Sequence, residues 1–244
     1  INGLEASFHP FMGFPGYKEI AALPLAERAA ALREPTRKSD RAEDIEAARR
    51  YTFATQGDGL RATAFWCDPA FGRGYPADFL SLCGDQMPRG WEGDLDRIAQ
   101  PLDAFGCNLY DAPLVRAGAD GHPEIVPYPP GFPRTAFDWP VTPAAHQHGV
   151  RFAFERYGLP VLITENGLSA RDWMHTDGSV PDPERVDFLI RHFDALAQAV
   201  QSGVPVLGYF HWSLLDNFEW NHGFRESFGM IYVDLDTLER TPKE

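Results

Sequence analysis

The sequence is poor in three features, each of which would define a class of protein. It has only three cysteines, Cys67, Cys83 and Cys107, and no Cys-x-x-Cys pair, so we predict neither a disulfide framework nor a thiolate zinc site. No apolar run approaches the ~20 residues of a membrane span. Lys and Arg total 22 against 35 Asp and Glu, for a net charge of −13. That charge argues against a nucleic-acid partner, because phosphates require clustered cations.

Signatures of cofactors are also missing. The sequence contains no Gly-rich loop of the kinds that hold phosphates or dinucleotides. Two histidines lie close together in His146-Gln147-His148, but residues i and i+2 do not share a helix face, and no acidic residue is spaced to help. We therefore expect no metal and no cofactor. Reduced cysteines, with no charged-then-apolar leader in the sequence, indicate the cytoplasm.

The composition changes at about residue 40. Residues 1–40 are rich in aromatic residues, Gly and Pro, with a short helix predicted from Pro24 to Glu34. We expect them to form a segment separate from residues 41–244. A second helix is predicted from Arg41 to Arg50, with Asp40 as its cap.

Further along, helices alternate with strands. We predict a short helical stretch that ends at Gly106 and a helix that begins after Pro143 and ends at Gly158. The clearest helix is "DPERVDFLIRHFDALAQAVQSG", which ends before Gly203. Its predicted buried face consists of apolar residues at helical spacing: Val186, Leu189, Ile190, Phe193, Leu196, Ala197 and Val200.

Two apolar strands, "LPVLIT" and "VPVLGYFHWS", flank this helix. A strand, a long helix and a second strand indicate a βαβ unit, and hence an α/β fold with a parallel sheet. Continuous apolar strands predict a sheet that is covered on both faces. Chemistry in such sheets gathers at the carboxyl ends of the strands, where Glu165 and Trp212 lie.

Glu165 closes the first of these strands in "PVLITENGLS", where Asn166-Gly167 predicts a turn. A carboxylate at this place costs free energy unless it is paired or hydrogen-bonded, which suits a catalytic acid or nucleophile. A capping or surface role for Glu165 is equally consistent with this stretch alone.

Two further stretches carry candidate chemistry. In "HWSLLDNFEW" two tryptophans alternate with carboxylates and an amide, a pattern that suits the apolar faces and hydroxyls of a sugar; an aromatic core edge is the alternative. In "CNLY", Asn108 and Tyr110 point the same way on an extended chain. The Tyr110 hydroxyl could orient a neighbouring carboxylate, or it could be an ordinary buried tyrosine.

Taken together, these stretches resemble the family 1 glycoside hydrolases, the retaining β-glucosidases. "LITENG" resembles the family's nucleophile motif, and "GYFHWSLLDNFEW", "GFRESFGMIYVD" and "RTPK" are similar to its last strand and sugar-binding loop. "FWCDPAFGRGYPADF" and "EGDLDRIAQPLDAFGCNLY" are similar to its middle. The likeness covers residues 41–244 and implies half of a (β/α)8 barrel.

The resemblance implies roles for particular residues. Glu165 matches the nucleophile, Tyr110 the tyrosine that hydrogen-bonds it, and Asn108 a neighbour of that pair. The implied substrate-binding residues are Trp139 on the aglycone side, Trp212 as the stacking floor, Glu219 and Trp220 as the pair that holds the sugar, and Phe228 nearby.

The sequence also departs from the family's pattern. Family members are about twice as long, and their "NEP" motif, which carries the acid/base glutamate, does not occur here; Glu5 in "INGLEA" is a poor match for it. The family's "KRFG" is "ESFG", with Glu226 and Ser227. Residues 1–37 instead resemble a piece of an N-acyl-D-amino-acid deacylase without its metal-ligand motif, so the chain has the pattern of a fusion.

Two functions follow as expectations. The first is a retaining β-glycosidase that acts on a β-glucoside through Glu165, weakened because the acid/base half is missing. The second is a non-catalytic half-barrel that at most binds sugar. Open strand edges and apolar surface predict a homo-oligomer in either case, with the barrel completed by assembly.

Overall fold

A computed structural model describes residues 41–55 and 63–244. The predicted helix from Pro24 to Glu34, the deacylase-like stretch and Glu5 lie outside these residues. The described α-helices are α1 (Ala42–Phe53), α2 (Thr63–Ala70), α3 (Ala77–Cys83), α4 (Leu95–Ile98), α5 (Ala144–Tyr157) and α6 (Pro183–Gln201). The described strands are β1 (Phe105–Asn108), β2 (Leu114–Ala117), β3 (Pro123–Val126), β4 (Val161–Asn166), β5 (Val206–His211), β6 (Ile231–Val233) and β7 (Arg240–Pro242). Short 3-10 turns lie at Gly84–Gln86 and Trp91–Asp94.

The central sheet has the strand order β1-β4-β5 and is parallel throughout. Val161 of β4 pairs with Phe105 of β1 on one side and with Val206 of β5 on the other. Helix α6 connects β4 to β5, so the predicted parallel βαβ unit is confirmed. Helix α5 also ends as predicted, because Gly158 adopts the left-handed conformation at φ 71° and closes the last turn.

The core lies between one face of this sheet and helices α5 and α6. Its buried members are Phe105, Val150, Ala153, Val161, Ile163, Leu196, Ala199 and Val204. The other face of the sheet is not covered by the described residues: Gly106, Asn108 and Thr164 are exposed. The prediction of a sheet covered on both faces is therefore wrong for this part of the chain.

Two further predictions are corrected at the ends of elements. Gly106 does not end a helix but lies inside β1, because α4 stops at Ile98 and the following residues extend to pair with β4. Helix α1 is present, but its N-cap is Arg41 rather than Asp40. Inside α1, the buried Asp44 accepts a hydrogen bond at 2.9 Å from the backbone amide of Ala117, which ties the helix to β2.

Helix α6 buries a face that shares only Leu196 with the predicted one. Its buried residues are Arg185, Phe188, His192, Ala195, Leu196 and Ala199. Of the predicted face, Val186 is 49% exposed, Ile190 56% and Phe193 44%. Arg185 can be buried because Asp172 and Asp182 both pair with its guanidinium, so ionic partners from outside the helix decide which face turns inward.

The remaining strands form two antiparallel pairs, β2 with β3 and β6 with β7. Of the described residues, those up to Val126 and those from Pro133 to Glu244 belong to one compact unit, and Pro127–Phe132 belongs to a second. In that second unit, the rings of Tyr128 and Phe132 lie 4.4 Å apart. No helix in the described ranges has both the length and the apolar character needed to cross a bilayer.

Candidate active site

The carboxyl ends of the three parallel strands bring the main candidate residues together. Tyr110 follows β1, Glu165 lies near the end of β4, and Trp212 follows β5 directly. The Tyr110 hydroxyl donates a hydrogen bond of 2.9 Å to Oε2 of Glu165. The backbone amide of Leu109 donates to the carbonyl of Glu165, also at 2.9 Å. Main chain and side chain therefore both hold the end of β1 against Glu165.

Tyr110 is set up to remain a hydrogen-bond donor. Burial raises the pKa of its phenol, and the Glu165 carboxylate, which accepts its hydrogen bond, raises that pKa further. A neutral phenol can donate, whereas a phenolate would repel the carboxylate. In this pair Tyr110 is always the donor and Glu165 the acceptor, and Tyr110 occupies one oxygen of the carboxylate. Among the described residues, no donor hydrogen-bonds the other oxygen, Oε1.

Asn166, which the sequence indicated only as part of a turn, connects all three strands. It is fully buried and is the last residue of β4. Its Nδ2 donates to the carbonyl of Leu109 at 2.8 Å, and its Oδ1 accepts from the Tyr209 hydroxyl at 2.8 Å. Its own carbonyl accepts from the amide of Trp212 at 2.9 Å. An asparagine beside an acid at a strand end was the available signal, but its partners are far away in the sequence.

Gly167 allows the β4 and β5 ends to come close. A Cβ atom at this position would lie 1.7 Å from the carbonyl oxygen of Trp212, a distance that no side chain permits. Glycine is therefore required here by contact with the neighbouring strand end rather than by turn geometry. The Trp212 backbone is in this way packed directly beside the residue pair that holds Glu165.

The loop after β5 holds a second carboxylate. Glu219 is 8% exposed, and its Oε1 accepts hydrogen bonds from Trp212 Nε1 at 3.0 Å and from Asn217 Nδ2 at 2.9 Å. Trp212 and Glu219 are therefore in direct contact, whereas the pair predicted from the sequence was Glu219 with Trp220. The amide of Asn217, which the sequence indicated only as one polar group of a sugar-binding stretch, is the second donor.

Aromatic side chains form a wall beside Tyr110. The Trp139 ring lies 5.3 Å from the Tyr110 ring, and the Phe228 ring 6.2 Å from it. Phe137, which we did not predict, packs edge-on against both Trp139 and Phe228, at 5.1 and 5.3 Å. Its signal was visible in "FDWP", two residues before the predicted platform tryptophan.

Two predicted site residues lie apart from these contacts. The Asn108 side chain accepts a hydrogen bond of 2.6 Å from Thr164 on the open face of the sheet and makes no described contact with the Glu165 carboxylate. Trp220 is 89% exposed, so its predicted part in holding a sugar stays a prediction.

A buried ionic network fixes the loops behind the site. Lys243 Nζ donates to Asp172 at 2.6 Å and to Asp216 at 2.8 Å, and Arg185 donates to Asp172 at 2.9 Å. Asp216 also accepts from the backbone amide of Gly229 at 2.9 Å. The network therefore joins α6, the chain after β4, the loop after β5 and the stretch after β7.

The histidines considered for a metal have other partners. His146 is buried, with its ring 4.8 Å from that of His192 in an edge-to-face arrangement, and the ring of His148 lies 5.9 Å from Phe152. Burial lowers the pKa of His146 to about 3, and the neighbouring His192 contributes to the shift. The part of the chain that the structure describes holds no group of three or more His, Cys, Asp or Glu side chains arranged for a metal ion.

The site consists of a carboxylate at the end of a parallel strand, beside a loop lined with aromatic residues. Known proteins with a similar structure and sequence agree with this arrangement. The architecture is part of a (β/α)8 hydrolase barrel: a β-glucosidase of Thermotoga maritima, solved in complex with isofagomine lactam, superimposes with a TM-score of 0.69 at 34% identity. That match covers 84% of this chain and 45% of the other. The sequence pattern of glycosyl hydrolase family 1 matches residues 26–244, and the chain belongs to that family.

Curated relatives match this chain over the same fraction of their length. The 1,4-β-D-glucan glucohydrolase of Thermotoga neapolitana is 35% identical over 207 residues, which are 84% of this chain and 45% of the relative. β-Glucosidase A of Thermotoga maritima is 34% identical over the same shares of both chains. The chain thus spans about half the length of the relatives it matches. The family match begins at residue 26, upstream of our predicted boundary at 40/41; that boundary and the deacylase-like origin of residues 1–37 stay predictions.

Proposed function

We propose that this chain supplies the nucleophile and the sugar-binding loop of a retaining β-glycosidase that acts on β-glucosides. The single observation that carries the proposal is the 2.9 Å hydrogen bond between Tyr110 and Glu165, located at a strand end next to the Trp212–Glu219 loop. Family membership supports the reaction class, and the relatives named above are glucosidases.

The proposed chemistry follows from which oxygen of Glu165 is available. Oε1 attacks the anomeric carbon and forms a glycosyl ester, while the bond from that carbon to the leaving oxygen breaks. Tyr110 keeps its hydrogen bond to Oε2 and so holds the attacking carboxylate in place. Trp139, Trp212, Trp220, Phe228 and Glu219 bind the sugar and its aglycone. Asn108, which lies two residues before Tyr110, supports the same strand end.

This mechanism also requires a second carboxyl group, for which the 244 residues offer no matching motif. Retaining hydrolysis uses two carboxyl groups ~5–5.5 Å apart, and acid/base assistance is worth roughly 10²–10⁴-fold. The 244 residues contain no Asn-Glu-Pro motif. We therefore propose that these 244 residues alone react only with glucosides whose leaving group needs no proton, and that water releases the sugar slowly.

A mechanism-based label tests this proposal. A 2-fluoro-glucoside with a dinitrophenyl leaving group should modify Glu165, and mass spectrometry of the digested protein should place the added mass on the peptide that contains "LITENG". Glu165→Gln should abolish both the labelling and the burst of dinitrophenolate from the non-fluorinated glucoside. Added azide should restore turnover of the unsubstituted protein, because azide attacks the ester without a general base. Folded protein that shows no burst and no label would disprove the proposal.

The exposed apolar surface supports a second candidate, a half-barrel that associates without turnover. Among the described residues β5 pairs only with β4, and its Leu207 and Phe210 are 61% and 60% exposed. Such edges and patches recruit further polypeptide, and we propose that copies of this chain associate through them to complete the barrel. Light scattering at micromolar concentration tests this: a sharply monomeric profile contradicts association, and association with no burst favours this candidate over the first.

A further inference from the structure

The carboxylate of Glu219 is held at one of its two oxygens. Trp212 Nε1 and Asn217 Nδ2 both donate to Oε1, at 3.0 and 2.9 Å. In the described part of the chain, Oε2 receives no hydrogen bond. The main chain of Glu219 is fixed as well, because its amide and carbonyl pair with the carbonyl and amide of Gly223, each at 2.7 Å. Both the backbone and the side chain of Glu219 are therefore held in place.

The orientation of Asn217 follows from its two neighbours. A carboxylate oxygen only accepts hydrogen bonds, so the group 2.9 Å from Glu219 Oε1 must be the amide NH₂. The amide oxygen then points the other way, to the hydroxyl of Ser213, whose Oγ lies 2.8 Å from it. The single proton of Ser213 Oγ is shared between this amide oxygen and the carbonyl of Leu215, 2.7 Å away, whereas the direction from Asn217 to Glu219 is fixed by the carboxylate.

We propose that Asn217 is a positioning residue, which occupies Oε1 of Glu219 together with Trp212 and thereby presents Oε2 as the acceptor for a sugar hydroxyl. This inference rests on the proposed function, because it assigns the sugar to the same site. It adds the reason for the geometry: a carboxylate already bound on one side cannot rotate to meet the ligand, so only a hydroxyl at one place is recognised.

Two substitutions of Asn217 separate positioning from bulk structure. Asn217→Ala removes the donor, and the affinity for deoxynojirimycin, a compound that the Thermotoga maritima enzyme binds, should fall roughly tenfold, as for the loss of one hydrogen bond to a charged group. Asn217→Asp has the same shape but places a carboxylate against Oε1. Two carboxylates at this distance repel each other, which raises one pKa of the pair, so they take up a shared proton as the pH falls. The shared proton restores a donor, and the affinity of Asn217→Asp should recover toward acid pH while that of Asn217→Ala does not.

The indole N–H of Trp212 gives a readout that needs no sugar. The chain has six tryptophans, and Trp212→Phe identifies which indole signal in a nitrogen–proton NMR spectrum belongs to Trp212. Because Trp212 donates to the same oxygen as Asn217, its indole signal should shift in Asn217→Ala and should follow the pH in Asn217→Asp. Leu214→Ser, 59% exposed on the same loop, is the matched control and should change neither the signal nor the affinity. Circular dichroism confirms the fold of each variant at each pH.

The outcomes distinguish this inference from the proposed reaction. A Trp212 signal that responds as described, in protein whose Glu165 is not labelled by the fluoro-glucoside, supports the positioning role and overturns the reaction. Labelled Glu165 together with an unchanged Trp212 signal in both Asn217 variants overturns the positioning role and leaves the reaction standing. Equal losses of affinity in Asn217→Ala and Asn217→Asp at every pH also overturn it, because a merely structural asparagine would behave in that way.

Discussion

The two faces of α6 differ in what they contact and in how they hold the fold. The inward face carries Arg185 and His192, both buried, with Phe188 between them. The outward face carries Val186 and Ile190, which are 49% and 56% exposed. The inward face thus buries two polar side chains beside its apolar ones, and large apolar side chains lie among the polar ones on the outward face, which departs from the usual order for a surface helix.

This difference separates what the described residues complete by themselves from what they leave open. On the inward side, every charge of the Arg185–Asp172–Lys243–Asp216 series has a partner of opposite sign within the chain, so the loops behind Glu165 and Glu219 are fixed internally. On the outward side, the apolar residues have no comparable partners among the described residues. The site is thus supported from within, whereas the apolar face is suited to contact with further polypeptide.

The largest effect should come from breaking the inward ionic network. Arg185→Met leaves Asp172 and Asp182 buried with one partner fewer, which should lower the free energy of unfolding by about 3–5 kcal/mol. Arg191→Met is the matched control, because Arg191 also pairs with an aspartate on α6, Asp187 at 2.6 Å, but is 60% exposed; its effect should be much smaller, since water and salt screen exposed pairs. Urea denaturation measures both. Equal losses for the two arginines would contradict the comparison.

Which face of α6 is buried could not be predicted from the sequence of the helix alone. The strands β4 and β5, the helix α5 and its stop at Gly158 were predictable, because each depends on a local apolar run bounded by Gly, Pro or Asn. Arg185 can be buried because Asp172, which lies 13 residues before it, and Asp182 pair with its guanidinium, and Asp172 also accepts from Lys243, near the far end of the sequence. The hydrophobic pattern carries no signal of such distant partners.

In the candidate site, too, some residues could be predicted from the sequence and others could not. The motifs indicated Glu165, Tyr110 and Glu219 because side chains of catalytic type stand at strand ends. The residues that orient them, Asn166 and Asn217, were not predicted, since an asparagine in a loop is ordinarily a turn residue. Their hydrogen bonds became visible only once the strand ends were placed side by side.

A smaller effect should follow from protonating two buried histidines, His192 on the inward face of α6 and His146 on α5. The pKa of His192 is lowered to about 4 and that of His146 to about 3, chiefly by burial. Because the unfolded chain binds protons more tightly, stability is complete above a pH of about 6.5 and is lost as the pH falls toward 4, by about 3 kcal/mol for one such histidine.

His146→Phe sharpens this pH comparison. Neither ring nitrogen of His146 has a hydrogen-bond partner among the described residues, so a phenyl ring removes the protonation without losing a hydrogen bond. Thermal unfolding between pH 4 and 7 should show a flatter curve for the variant, with some slope remaining because His192 and His211 still titrate; the pKa of His211 is also lowered to about 4. A variant with an unchanged slope would show that other groups govern the acid response.

The smallest effect on stability, and the one that defines the outward face, should come from Val186→Ser combined with Ile190→Ser. These exposed side chains contribute little to the fold, so the free energy of unfolding should change by no more than about 0.5 kcal/mol per position. If the apolar face joins copies of the chain, the same double variant should reduce the average mass in light scattering at micromolar concentration. Asp194→Ser, a polar exposed position on α6, serves as the control and should leave the mass unchanged. A mass that is unaffected by the double variant would place the association elsewhere, on the open edge of β5 with its exposed Leu207 and Phe210.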